Sequence, residues 1–323
     1  MKAATETFEV EVRGIRLEAE TVRSFELWPI AGELPAFAPG AHLDVHVSAG
    51  LIRQYSLTNP HERYRYVVAV HRDPAGNGGS MRMHDSVAVG DRLIVSAPRN
   101  HFPLNETAAH SVFVAGGIGV TPLLAMVRRL CELGRSWDFY YCARTPAKAA
   151  FLRELSELAS NSTDGALHCV FDGEPGAASL NLDDVRAAHG TQADFYCCGP
   201  TPLMDAFSKA IADVAPERVH LEYFKAPATE LKPHGEAFTI TLLRRGQTFV
   251  VPRERSILEV LHENGVPVLT SCQRGICGTC ETTVIEGEPD HRDCVLTREE
   301  RASNRTMMIC VSRCKGERLV LDI

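Results

Sequence analysis

The sequence shows no long apolar run, no visible secretory signal, no excess of basic charge and no repeated unit, and each absence argues against a class of function. Apolar stretches such as Val112–Ala115 fall far short of the roughly 20 residues a helix needs to span a bilayer. Met1 to Val10 holds no basic segment followed by an apolar one, and Val320–Leu321–Asp322–Ile323 is no lipidation box. The expectation is a cytoplasmic protein with no membrane partner. Lysine and arginine number 34 against 41 acidic residues, a net charge of −7, which argues against a nucleic-acid partner held by phosphate neutralisation. No period of 20–50 residues suggests a solenoid or propeller.

Cysteine, by contrast, is plentiful. Eleven is an odd number in 323 residues with no export signal, so metal or redox use is a better reading than a disulfide scaffold. Seven of them (Cys131, Cys142, Cys169, Cys197, Cys198, Cys294 and Cys314) read as small buried or half-buried hydrophobes. The other four form the strongest signal in the chain. Cys272, Cys277 and Cys280 follow C-x4-C-x2-C, and Cys310 comes 30 residues later, the plant-type spacing for a 2Fe-2S cluster. Gly275 and Gly278 allow the loop to turn sharply and aim N–H groups at sulfur. A four-thiolate zinc ribbon, the competing reading, prefers paired C-x2-C knuckles, and there is one here. Cys294 and Cys314 compete as fourth ligand. Cys310 is preferred because it ends the apolar run Met307–Met308–Ile309, whereas Cys294 lies in a charged stretch.

Around this loop the texture changes three times. Phe8–Leu17, Val22–Leu27, Ala41–Val47 and Tyr66–Val70 read as short strands between Gly and Pro punctuation, the pattern of an antiparallel barrel or sandwich. From Ser111–Ala115 onward strands alternate with helices. The strands are Asp138–Cys142, Leu167–Phe171, Asp194–Cys198 and Val219–Tyr223, and the helices Leu123–Leu133, Phe151–Ala159, Leu182–Ala188 and Thr201–Val214. That alternation indicates a parallel doubly wound sheet. Pro227, Pro233 and Gly235 mark a linker. Beyond it come strands Phe238–Leu243 and Thr248–Val251, helix Ile257–Asn264, the cysteine loop and two further strands. The expected domains are 1–104, 105–226 and 237–323, with a linker at 227–236.

Three turns sit where cofactors bind in such folds. Gly78–Gly79–Ser80 follows strand Val67–His71 and opens a helix, a ready phosphate cradle. Gly116–Gly117–Ile118–Gly119–Val120–Thr121–Pro122 joins a strand to a helix, with Pro122 in the first helical turn. It is not G-x-G-x-x-G, because Pro122 takes the last glycine's place. Cys198–Gly199–Pro200, followed by Met204, lies at a strand's carboxyl end. Arg144 and Asp172 also follow strand ends, where they suit adenosine contacts or serve as surface charges.

The segment from Ala237 onward resembles plant-type ferredoxins of the β-grasp fold. Met308–Ile309–Cys310–Val311–Ser312 and the order of all three domains resemble the phthalate dioxygenase reductase and vanillate O-demethylase reductase family. Arg53-x-Tyr55–Ser56, the G-G-x-G-x-T-P turn and Cys198–Gly199–Pro200 resemble motifs of the wider ferredoxin–NADP reductase superfamily. The resemblance implies an antiparallel β-barrel flavin domain, a parallel α/β nucleotide domain and an α+β β-grasp ferredoxin domain. It implies FMN against Tyr55, Ser56, Val70, His71 and Phe224, with Arg53, Gly79 and Ser80 on its phosphate, FMN rather than FAD because only one phosphate site is evident. It places NADH at Gly116, Gly117, Gly119, Thr121, Pro122, Cys198, Gly199, Pro200 and Met204. NADPH stays open, since Arg144 and Lys148 can meet a 2′-phosphate, although the family favours NADH. Hydride from NADH would pass to the flavin and single electrons to the cluster, with no separate acid–base residue. The implied partner is a terminal Rieske-type oxygenase of aromatic catabolism, served by a monomer. A general flavin reductase and a zinc-stabilised redox-sensing module are the alternatives.

Overall fold

The early strands turn apolar side chains such as Val12, Leu27, Val45 and Val70 onto one shared core. In the computed structural model, which describes residues 6–48, 50–60, 62–173, 176–225 and 235–323, the chain divides into two units, Glu6–Phe224 and Lys225–Ile323. In the first unit β1 (Thr7–Ala19), β2 (Val22–Pro29), β3 (His42–Ser48), β4 (Leu51–Ser56), β5 (Tyr66–His71) and, after helix α1 (Gly79–Ser86), β6 (Arg92–Ser96) form an antiparallel sheet in the order β4-β3-β6-β1-β2-β5. A bridge from Leu57 to Val68 links the two edge strands and closes it as a barrel around Val10, Phe25, Leu43, Val68 and Val95.

The same unit then turns α/β. Strands β7 (His110–Gly116), β8 (Ser136–Ala143), β9 (Gly165–Phe171), β10 (Asp194–Cys198) and β11 (Val219–Glu222) are all parallel, in the order β11-β10-β7-β8-β9. Helices α2 (Val120–Leu133), α3 (Leu152–Asn161), α4 (Leu182–His189) and α5 (Thr201–Ala210) connect them. Strand order reverses between β7 and β10, so a crevice opens at the carboxyl ends of these two neighbours. The core under α2 also takes in Ala19, Val22, Ala69 and Phe102 from the barrel side, and the two sheets therefore share apolar packing.

The second unit is a mixed sheet, β13-β12-β18-β14-β16. It is built from β12 (Phe238–Leu242), β13 (Gln247–Val251), β14 (Glu281–Glu286), β16 (Thr306–Met308) and β18 (Arg318–Leu321), with the two-residue pair β15 (Pro289–Asp290) and β17 (Arg313–Cys314) beside it. Helix α6 (Ile257–Glu263) lays Ile257, Leu258, Val260 and Leu261 on the sheet. A capping box fixes its start: Ser256 accepts from the Glu259 N–H, and Glu259 Oε2 accepts from the Ser256 N–H. Helix α7 (Arg298–Ser303) begins the same way at Thr297.

Several expectations need correction. Strand β6 carries no distinctive sequence signal, and three strands rather than two follow the cysteine loop in the main sheet. The helix expected over 201–214 ends at Ala210. Cys169 is exposed rather than buried or half-buried. Of the expected linker, residues 227–234 lie outside the described residues.

Candidate cofactor sites

Gly116 and Cys198 end neighbouring strands, with Cys198 opposite Ala115 in the β7–β10 register. This juxtaposition explains the glycines. A Cβ on Gly119 would lie 2.0 Å from the Cys198 carbonyl oxygen, and one on Gly116 would lie 2.5 Å from Pro200 Cδ. Gly117 has a φ of 54°, a left-handed conformation that glycine adopts without strain. A single 3-10 turn, Gly117–Gly119, leads into α2, and Thr121 Oγ1 donates to the Ile118 carbonyl at 3.0 Å. Pro122 is buried in the first turn of α2, and Pro200 stands at the N-cap of α5. The two turns thus form one wall, with Gly117 and Gly199 on its half-exposed rim. Arg144 and Asp172 pair with each other at 3.8 Å at the ends of β8 and β9.

On the barrel side, Arg53 lies across Gly79: a Cβ there would come within 2.5 Å of Arg53 Cγ. Two Arg53 nitrogens donate to the Ile52 and Asn77 carbonyls, each at 2.7 Å, which fixes the guanidinium beside the Gly78–Ser80 turn. Ser80 Oγ accepts from the Asp73 N–H at 3.1 Å. His84, buried beneath that turn, bonds the Val70 carbonyl through Nε2 at 2.7 Å. Tyr55 OH and Ser56 Oγ are buried with no hydrogen-bond partner among the described residues. A buried hydroxyl without a partner costs about 1–3 kcal/mol, so both fit a site meant to receive a polar ligand. Burial also raises the Tyr55 phenol's pKa, keeping it neutral. His71 is exposed and Phe224 is half-buried against the shared core. Val70 and Met204 have side chains inside the barrel core and the sheet core, so only their main chains can reach a ligand.

Two residues that the sequence reading missed join the barrel to the crevice. His42 pairs with Ser56 across β3 and β4, and its Nδ1 lies 4.0 Å from Glu222 Oε1. Glu222 in turn sits opposite Cys198 in the β10–β11 register. Burial pushes the Glu222 carboxyl up to about 8, and its Oε2 has no partner among the described residues. The Cys198 thiol is raised well above the ordinary range, first by burial and then by Glu222. The available signal was an acid closing the short strand β11, two residues before Phe224.

In the second unit the four cysteines come together. Cys272 hydrogen-bonds Cys277, Cys310 hydrogen-bonds Cys280, and Cys310 also feels Cys272. The Arg274 N–H donates to Cys272 Sγ at 3.3 Å, and Cys277 Sγ lies 3.2 Å from Thr279 Oγ1. Hydrogen bonding from Cys272 lowers the Cys277 pKa, favouring its thiolate. Gln273, Gly275 and Gly278 take left-handed φ values of 56°, 70° and 71°, which wrap the loop around the sulfurs. A Cβ on Gly275 would meet Val311 Cγ2 at 2.6 Å. Cys314, by contrast, donates to the Arg318 carbonyl at 3.5 Å. Four thiols with N–H donors aimed at them suit an iron–sulfur cluster, whose added electron such donors stabilise.

Comparison with known proteins agrees with this geometry. Residues 113–209 match the family model described as an oxidoreductase NAD-binding domain, and residues 240–315 match that of a 2Fe-2S iron-sulfur cluster binding domain. Tetrachlorobenzoquinone reductase of Sphingobium chlorophenolicum is 45% identical, covering 98% of each chain. The phthalate 4,5-dioxygenase oxygenase reductase subunit of Pseudomonas putida is 42% identical, over 94% of this chain and 93% of its own. A solved phthalate dioxygenase reductase, described as a modular structure for electron transfer from pyridine nucleotides to 2Fe-2S, is 40% identical with a TM-score of 0.70 over 98% of both chains. An intact type IV self-sufficient cytochrome P450 monooxygenase is 36% identical with a TM-score of 0.91 over 98% of this chain, which spans 41% of it. Fold and sites together define an iron–sulfur oxidoreductase with an NAD-binding domain. The chain belongs to the phthalate dioxygenase reductase and vanillate O-demethylase reductase family, the reductase subunits of oxygenase systems. Among the described residues no helix is long and apolar enough to cross a membrane.

Proposed function

We propose that the chain is a monomeric, cytoplasmic reductase that takes hydride from NADH, uses FMN as its flavin and passes single electrons through Cys272, Cys277, Cys280 and Cys310 to a Rieske-type oxygenase. The observation that carries this reading is the set Ser56–His42–Glu222–Cys198, which links the unpartnered Ser56 hydroxyl of the barrel to the crevice between β7 and β10. A bound flavin supplies the conversion this chemistry needs, accepting two electrons as hydride and releasing them singly. Tyr55 and Ser56 offer it a face and a hydroxyl, and Arg53 offers its phosphate the three of five N–H donors not engaged with carbonyls. The two glycine turns admit the nicotinamide nucleotide with its pyrophosphate against the start of α2. Glu222 holds a proton near neutral pH, so no second negative charge opposes the incoming one. Relatives that serve phthalate and vanillate oxygenases support an oxygenase as acceptor.

Anaerobic titration with NADH, followed by visible spectra and low-temperature EPR, tests the reading. Flavin and cluster bands should bleach together with a rhombic signal from the reduced cluster, and the released flavin should have the mass of FMN. Four-thiolate zinc in place of iron would defeat the electron path. A second acceptor, a quinone, is favoured by the identity to tetrachlorobenzoquinone reductase. If the quinone reoxidises the reduced protein rapidly and the oxygenase does not, the quinone reading replaces the first.

A further inference from the structure

At the opposite edge of the nucleotide sheet from the glycine turns, three elements converge on a cluster of ligand-type side chains. His110 opens β7, Asp138 lies near the start of β8, and His189 is the last residue of α4. His110 stands six residues before Gly116, about 20 Å along the strand. The cluster is therefore remote from the cofactor crevice.

We propose that His110 Nε2, Asp138 Oδ2 and His189 Nδ1 bind a divalent transition-metal ion, Zn2+ by donor chemistry. One ligand atom from each of these residues lies within 4.8 Å of the others. His110 Nε2 is 3.2 Å from His189 Nδ1 and 3.3 Å from Asp138 Oδ2. Ligands at 2.0–2.1 Å in tetrahedral array stand about 3.3 Å apart, so the two separations from His110 Nε2 are those such an ion requires, and the third pair lies within 4.8 Å. Two imidazoles and a carboxylate suit Zn2+ and leave a fourth position for water.

The surroundings are those of a metal site. A ligating histidine donates its other N–H to a fixed partner, which sets its tautomer. His110 Nδ1 is 2.8 Å from Ser136 Oγ, and His189 Nε2 is 2.8 Å from Tyr140 OH. The carboxylate is held from behind: His168 Nε2 lies 2.5 Å from Asp138 Oδ1, and the His168 ring stacks on Tyr140 with centroids 4.5 Å apart. Ser136, Asp138 and Tyr140 share one face of β8 because strand side chains alternate, while Trp137, Phe139 and Tyr141 enter the core. An ion here would pin the end of α4 to β7 and β8. It stabilises the sheet and takes no part in electron transfer.

The test uses the full-length protein with its cofactors. Isothermal titration with Zn2+, with iron content and the visible cluster spectrum monitored, should show one equivalent bound without loss of iron. His189→Gln and Asp138→Asn should each weaken binding at least tenfold, and the Zn2+-induced rise in unfolding temperature should vanish in both. Tyr140→Phe keeps all three ligands and loses one partner hydroxyl, so it should weaken binding about tenfold even if the ligand variants fail to fold. No saturable equivalent in the wild type, or equal binding by all variants, would overturn the proposal.

Discussion

Glu222 ties the candidate site to pH through a single buried carboxyl. Its folded value of about 8 lies above the ordinary 4.5, so between these limits the folded protein holds a proton that the unfolded chain releases. Stability from this group is complete below about pH 4.5, falls as pH rises, and is lost above about 8. Each unit is worth about 1.4 kcal/mol, so the loss reaches roughly 5 kcal/mol at most. Glu222→Gln should flatten this slope, and thermal unfolding of both proteins between pH 5 and 8 measures it. Gly119 fails for a different reason when changed, since its φ of −60° is one any residue adopts. Gly119→Ala sets a Cβ against the Cys198 carbonyl, which should cost about 1–3 kcal/mol in urea unfolding. NADH-driven bleaching should slow markedly in the same variant. The glycine pattern was readable because backbone approach demands glycine whatever the tertiary partner. His42 and Glu222 were not, because a lone polar residue in a strand reads as its solvent face until the neighbouring sheet is in place.

At the level of elements, most strands and helices followed from apolar period and punctuation, and the misses have physical causes. Ile211 and Val214 remain buried past the end of α5, so the apolar pattern runs on through a turn that is no longer helical. Strand β6 alternates exposed Arg92 and Ile94 with buried Leu93 and Val95, a signal too short to separate from loop. In the cysteine loop, spacing named three ligands and left the fourth to choose. The placement of Cys310 beside Cys280, with Cys314 held by the Arg318 carbonyl, gives that choice a consequence. Cys310→Ser should lose the reduced-cluster EPR signal and lower bound iron while flavin absorbance and hydride uptake persist. Cys314→Ser should keep both iron and signal.

At the level of the whole chain, the two units differ in what each needs in order to stand alone. Glu6–Phe224 carries the barrel core, the core under α2 and the α4–α5 core, all built from its own residues. Lys225–Ile323 carries one core of its own, to which Cys280 and Cys310 belong beside Leu258, Leu261 and Met308. In the second unit two of the four cluster ligands thus belong to the apolar core, and assembly of the cluster and folding are coupled. In the first unit the barrel core closes around Val10, Phe25, Leu43 and Val68 with Tyr55 packed against it, and the Tyr55 and Ser56 hydroxyls are left without a partner among the described residues. Residues 6–224 expressed alone should therefore unfold cooperatively with or without flavin, gaining only the increment that ligand binding adds. Residues 235–323 alone should show a cooperative transition with iron bound and lose it, together with dispersed amide resonances, when iron is removed. Circular dichroism melts of both pieces, with and without their cofactors, distinguish this from a chain in which both units depend equally on what they bind.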